Sequence, residues 1–240
     1  IYTGEDTLSL HDALPICTST ALLGFNITGN TNLLSYQGST TISVSGTSNF
    51  FAGQSANGSS TKVTGFGNVA VGDGAAYAVT GNANVFIGWN SGNGSTTGAA
   101  NASTQNTAVG ANTLQYNTTG SSNSAFGRYS LMNNSSGINN SGFGLSSLQS
   151  NTTGQYNSAF GLSTMQSGTT GSGNSAFGAQ ALTGGAGSNN SAFGYLALQL
   201  VTGGSANTGI GYLSGRSITT GYSNTIIGDN ASGGTQITTG

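Results

Sequence analysis

A five-residue pattern, Asn-x-x-apolar-Gly, returns ten times in this chain, and its register constrains the fold more than any other feature. It reads NVAVG at 68–72, NVFIG at 84–88, NTAVG at 106–110, NSAFG at 123–127 and NSGFG at 140–144. NSAFG then recurs at 157–161, 174–178 and 190–194, followed by NTGIG at 207–211 and NTIIG at 224–228. The closing glycines are spaced 16, 22, 17, 17, 17, 17, 16, 17 and 17 residues apart. Self-similarity at a short fixed period is the signature of a repeat architecture, in which each unit packs on its neighbours.

Each column of the repeat carries its own chemistry. The leading column is Asn68, Asn84, Asn106, Asn123, Asn140, Asn157, Asn174, Asn190, Asn207 and Asn224. The closing column is Gly72, Gly88, Gly110, Gly127, Gly144, Gly161, Gly178, Gly194, Gly211 and Gly228. The residue before that glycine is always Val, Ile or Phe, with Phe126, Phe143, Phe160, Phe177 and Phe193 in consecutive units. Four residues after it stand Leu114, Leu131, Leu148, Met165, Leu182 and Leu198. Seven residues before it lies a second Gly in nine of ten copies, usually closing a Thr-Gly pair; Ser103 is the exception.

These columns predict one coil of a parallel β-solenoid, an all-β fold of ~17-residue coils about 4.8 Å apart. Within Asn-Ser-Ala-Phe-Gly the side chains alternate, so Ser and Phe share one face and Asn and Ala the other. The closing Gly turns the chain at positive φ, the Leu column follows, and the Thr-Gly corner completes the circuit. The core of each coil is expected to hold its Phe or aliphatic residue, its Leu or Met, and its Ala. An Asn can donate to one neighbouring copy and accept from the other, so the Asn column is expected to form a hydrogen-bonded ladder. Repeated Lys or Glu would instead place like charges at ladder distance. Two apolar anchors per coil make a thin core, and we expect a partner chain to bury more apolar surface, as a parallel homotrimer.

Composition fits that reading. Only eight of 240 side chains carry charge, three basic and five acidic. A polyanion such as nucleic acid and an anionic membrane surface both need cations that the chain lacks. No apolar run is long enough to span a bilayer, so no membrane insertion is expected from this segment. Residues 1–16, IYTGEDTLSLHDALPI, resemble nothing downstream. Thr7–Ile16 matches ten consecutive codons in one frame of a common short-read sequencing adaptor, and we exclude the segment from the fold. It holds His11, Pro15, Glu5, Asp6 and Asp12; the charges left are Lys62, Asp73, Arg128, Arg216 and Asp229, so the net charge becomes 3 − 2 = +1.

Residues 17–62 read as an irregular or degenerate β segment leading into the repeats, with SNFFAG (48–53) a worn copy and TTISVSG (40–46) alternating like a strand. The solenoid is expected over 63–240. The closing TTG (238–240) is the corner that precedes each motif, so the next unit would begin near 243 and the chain is expected to stop mid-repeat.

Catalysis needs groups that move protons, bind metal or attack carbon, held close together. The repeat region offers no His, no Cys and only Asp73 and Asp229, which are nine coils apart. Calcium-binding rolls carry an Asp in every unit, and a phosphate loop needs its flanking strand, helix and Lys. We expect no catalytic, cofactor or metal site. The position after each motif Gly varies freely, as an outward column would. Its members Trp89, Arg128, Tyr195 and Tyr212 are the candidate contacts for a glycan or protein partner. The 22-residue unit adds about five residues within Trp89–Gln105, a longer loop on one coil.

The columns resemble the YadA-like head repeats of trimeric autotransporter adhesins. They are more similar still to the NTTGxxNTAIGxxAL arrays of tail-fibre-like proteins that end in an intramolecular chaperone domain. NTTGSSNSAFGRYSL (117–131) and NTTGQYNSAFGLSTM (151–165) carry the likeness. The resemblance implies a left-handed β-roll, usually trimeric, on a bacterial surface or a phage particle, where it spaces or displays a binding tip. A period of 17 residues departs from the shorter one of the adhesin heads. A third reading, an ice- or mineral-binding solenoid, draws on the Thr pairs at 118–119, 152–153, 169–170 and 219–220.

Overall fold

The structure, a computed structural model, describes residues 49–53, 55–56, 65–77, 79–94, 101–168, 170–185 and 187–231, with the backbone of 31–36 and 39–44. The adaptor-like residues 1–16, most of the added loop in the enlarged unit, and the final corner at 238–240 lie outside the described residues.

The described strands form one sheet in which each pairs with its neighbours in sequence. β1 (Thr31–Tyr36) and β2 (Ser39–Val44) pair antiparallel, and β2 pairs antiparallel with β3 (Phe50–Ala52). From β3 onward every pairing is parallel. The stack continues through β4 (Val69–Val71), β5 (Val85–Ile87), β6 (Thr107–Val109), β7 (Ser124–Phe126) and β8 (Ser141–Phe143). It is completed by β9 (Ser158–Phe160), β10 (Ser175–Phe177), β11 (Ser191–Phe193), β12 (Thr208–Ile210) and β13 (Thr225–Ile227). The chain is therefore an all-β parallel β-solenoid. Nine circuits separate β4 from β13, which gives a rod of roughly 43 Å on the usual strand spacing.

Register follows the motif without slip. Ser158 lies opposite Ser141 and Ser175, Ala159 opposite Gly142 and Ala176, and Phe160 opposite Phe143 and Phe177. β3 obeys the same rule against β4, so Asn49 heads the first rung and the stack starts ahead of the boundary expected at 63. Each parallel strand is three residues long because the motif Gly ends it, at φ between 120° and 140°. A methyl group at Gly144 would also lie 2.4 Å from the carbonyl oxygen of Gly161, so space as well as φ demands glycine there. At the Thr-Gly corners only space does. Gly154 has no positive φ, yet its Cβ would meet the Gly171 oxygen at 2.3 Å.

One expectation is overturned. The Phe column is not in the core. Alternation holds along each strand, but the face turned inward is that of Asn and Ala, and Phe and Ser face outward. Asn157 and Ala159 are buried, while Phe177 and Phe193 are 39% and 40% exposed. Inside, the core comprises the strand-centre Ala residues and the Leu column, with Leu114, Leu131, Leu148, Met165, Leu182 and Leu198 all buried. The reason is volume. One level of so small a coil accepts one large side chain, and Leu already supplies it. Phe86 goes inside in a coil that has Gly92 where the six regular coils have Leu or Met; a Cβ on Gly92 would fall 2.3 Å from the Phe86 ring.

The turns also differ from expectation. Glycine was expected to supply the positive φ, but each regular coil has further left-handed residues, most of them not glycine. In one coil these are Asn139 (φ 57°), Ser146 (φ 58°) and Leu148 (φ 51°). Such a conformation costs roughly 1–2 kcal/mol for an ordinary residue. Hydrogen bonds to both adjacent coils hold it in place: Ser146 N–H donates back to Arg128 O at 2.9 Å, and Leu148 N–H forward to Thr164 O at 3.0 Å.

Candidate functional site

The interior of the coil is a closed polar and apolar lattice. Every ladder Asn from Asn68 to Asn224 donates its backbone N–H to the Oδ1 of the Asn one coil earlier, at 2.8–3.1 Å. In every rung but that of Asn140 the side-chain Nδ2 makes a second bond to the same Oδ1, as from Asn157 to Asn140 at 3.1 Å. Its other proton goes to a corner carbonyl, as from Asn157 to Gly171 O at 2.8 Å. Donors and acceptor are thus all used, which is what permits an amide to be buried.

Two further polar columns were not singled out from the sequence. Asn117, Asn134 and Asn151 form a second buried ladder at the NTTG and NSSG corners, with Nδ2–Oδ1 distances of 3.0 and 2.8 Å. The repeat of Asn at those corners was its only signal. Three residues after the motif Gly, Ser91, Thr113, Ser130, Ser147 and Thr164 turn their hydroxyls onto backbone carbonyls. Ser130 Oγ also meets Ser147 Oγ at 2.9 Å, and occupies the space a Cβ would need at Gly142. That contact explains why this coil reads NSGFG.

The outer sheet face is where contact with another molecule is possible. Val71, Ile87, Val109, the Phe residues of β7 to β11, Ile210 and Ile227 run along it as one apolar column without a charge. From Phe126 to Phe193 the rings stack at centroid distances of 4.7–5.0 Å, within 4–8° of parallel. Ring faces are therefore turned to one another along the axis, and ring edges point outward. A sugar stacks on an aromatic face, so this ladder suits an apolar partner surface better than a glycan.

The column after the motif Gly lies two residues beyond the Phe ladder, just past the turn at the Gly. Of the candidate contacts, Trp89 is 54% exposed and Tyr195 and Tyr212 are exposed as well. The fold brings only two of them together: Tyr195 and Tyr212 stack at 5.7 Å. Arg128 sits over its neighbour Tyr129, 4.4 Å from the ring centroid, and hydrogen-bonds its hydroxyl. Trp89 lies six coils from the Tyr195 rung, about 29 Å along the stack, so the four do not form one patch.

At the corners, Thr118 Oγ1 donates to Ser135 O at 2.9 Å and Ser135 Oγ to Thr152 O at 3.0 Å. One hydroxyl of each such pair is thereby committed to the next coil, and only its exposed neighbour (Thr119, Ser136) is presented to solvent. The two carboxylates among the described residues, Asp73 and Asp229, stand near opposite ends of the stack. Among the described residues no cluster of metal-binding side chains occurs, and no helix is long and apolar enough to cross a membrane. No protein-family model, curated protein or solved structure matches the chain.

Proposed function

We propose that this chain is a non-enzymatic rod segment of an extracellular bacterial fibre, assembled as a parallel homotrimer through its Phe-bearing sheet face. The observation that carries the reading is the uncharged apolar column running the length of the outer face. A soluble chain that repeats the same half-exposed aromatic at every level gains most by covering it, and identical copies in register match level for level. The rod then spaces or displays a binding tip, and adhesion comes from multivalent presentation more than from one strong site. Trp89, Tyr195 and Tyr212 supply the outer contacts to a host glycan or surface protein.

A phage-type tail fibre is the second reading, favoured by the NTTG corners on which the resemblance to the tail-fibre arrays rests, where Asn117, Asn134 and Asn151 form a buried ladder. Both readings require the oligomer. Sedimentation equilibrium of the full chain is expected to give three chain masses. Phe143→Lys with Phe160→Lys, which places like charges at ladder distance, is expected to return it to one mass with the strand signal intact. A parent chain that sediments as a stable monomer overturns the proposal.

A further inference from the structure

The column after the motif Gly carries a phenol at two successive rungs. Tyr195 follows Gly194 and Tyr212 follows Gly211, whose φ values of 137° and 124° are close, so both side chains leave the backbone in the same sense. Strand register fixes the step between them: Phe193 lies opposite Ile210, and Leu213 N–H donates to Tyr195 O at 2.9 Å. The rings stack with centroids 5.7 Å apart and planes 13° from parallel. Among the residues whose side chains are described, no other two tyrosines stack. The pair is also isolated in its column, with Ala179 one rung before it and Asp229 one rung after.

The Phe ladder repeats that stacking, but a phenyl ring has no hydroxyl proton to give up. A phenol loses one electron and one proton to an oxidant and becomes a phenoxyl radical, whose unpaired electron is shared with the ring carbons ortho to the oxygen. Two such radicals join by a carbon–carbon bond between ortho positions, and the two ring protons displaced there return to the oxygens. In balance, two phenols and one hydrogen peroxide give one biphenol and two waters, with a haem peroxidase carrying the electrons. Two conditions decide where this occurs in a protein: access of the oxidant, and a second phenol within reach before the radical is quenched. Tyr195 and Tyr212 are 47% and 51% exposed, and side chains so exposed change rotamer quickly, which lets the ortho carbons meet. Held one rung apart, they face each other at an effective concentration far above that of separate chains.

We propose that Tyr195 and Tyr212 form an oxidative cross-linking site, at which a haem peroxidase and hydrogen peroxide join the β11 and β12 coils by a dityrosine bond on the outside of the rod.

The test treats the full chain with a haem peroxidase and hydrogen peroxide, at a concentration too low for frequent collisions between chains. A single-chain product lighter by two hydrogen atoms is expected, with dityrosine fluorescence and a cross-linked peptide pair containing Tyr195 and Tyr212. Tyr212→Phe keeps a ring in the stack and removes the phenol; it is expected to cut that fluorescence about tenfold or more, whereas Tyr156→Phe leaves it as in the parent. Undiminished fluorescence in Tyr212→Phe overturns the proposal. So does a parent chain that yields no linked product, or one whose links map to other tyrosines or only between chains.

Discussion

Phe143 and Phe160 stack with ring centroids 4.7 Å apart and planes 4° from parallel, on the outside of the coil. Five residues along the chain from each, Leu148 and Met165 fill the inside. The two apolar columns of the repeat therefore have different tasks, and truncating them should separate packing within a chain from packing between chains.

Leu148→Ala opens a cavity in a core with one large side chain per level and is expected to cost about 2–5 kcal/mol of unfolding free energy. Phe160→Ala removes two ring stacks from a half-exposed surface and is expected to cost about 1–2 kcal/mol in a single chain. Urea unfolding at a concentration where the chain is monomeric would show the order. A larger loss for Phe160→Ala than for Leu148→Ala would place the Phe column inside after all.

Asn157→Ala leaves the Asn174 backbone N–H and side-chain Nδ2 facing an empty acceptor position in a buried site. Each unmet buried donor costs about 1–3 kcal/mol, so a loss of about 2–5 kcal/mol is expected in chemical denaturation.

Asn157→Asp tests the same site through pH. A buried carboxyl has its pKa raised above the unfolded value of about 3.9, because burial penalises the charged form. A group raised in the folded state contributes stability that is fully present below about pH 4 and is lost as pH rises through the folded-state value. The variant is therefore expected to melt highest in acid and to weaken toward neutral pH, while the parent lacks that slope. Melting curves across the range would decide it; an unchanged profile would mean that position 157 is open to water.

Phe86 and Gly92 share one space, and exchanging which of them is large tests the one-large-residue rule. Phe86→Ala alone should leave a cavity, costing about 3–5 kcal/mol. Gly92→Leu alone should clash with the ring, costing about 1–3 kcal/mol or more. The double variant recreates the Ala-and-Leu arrangement of the regular coils and is expected to recover most of both losses. The coupling from a double-mutant cycle measures it, and simple additivity would show that the two sites do not share volume.

Much of this molecule was legible before its structure. Spacing of identical motifs specified parallel neighbours and their register, because only one alignment superposes every Asn and Gly. The Asn ladder followed from an amide having both donor and acceptor. The glycine columns were visible too, although for the corner glycines the cause is the next coil's carbonyl oxygen, as between Gly154 and Gly171. What the pattern could not decide is which of the two alternating faces turns inward. Period-two alternation is symmetrical between them, and hydrophobicity alone favours Phe inside.

The choice is made by the closed circuit. Ser146 and Leu148 take left-handed φ, the chain turns there, and Leu148 is delivered into the only space of its size. The strand centre is then left with room for Ala or Gly, and Phe must face outward. Volume inside a coil depends on how far apart its walls stand, which no single column encodes. Period, register and the polar ladder can be read from the repeated motif; which face lies inside, and so which face a partner can reach, is fixed by how each coil closes.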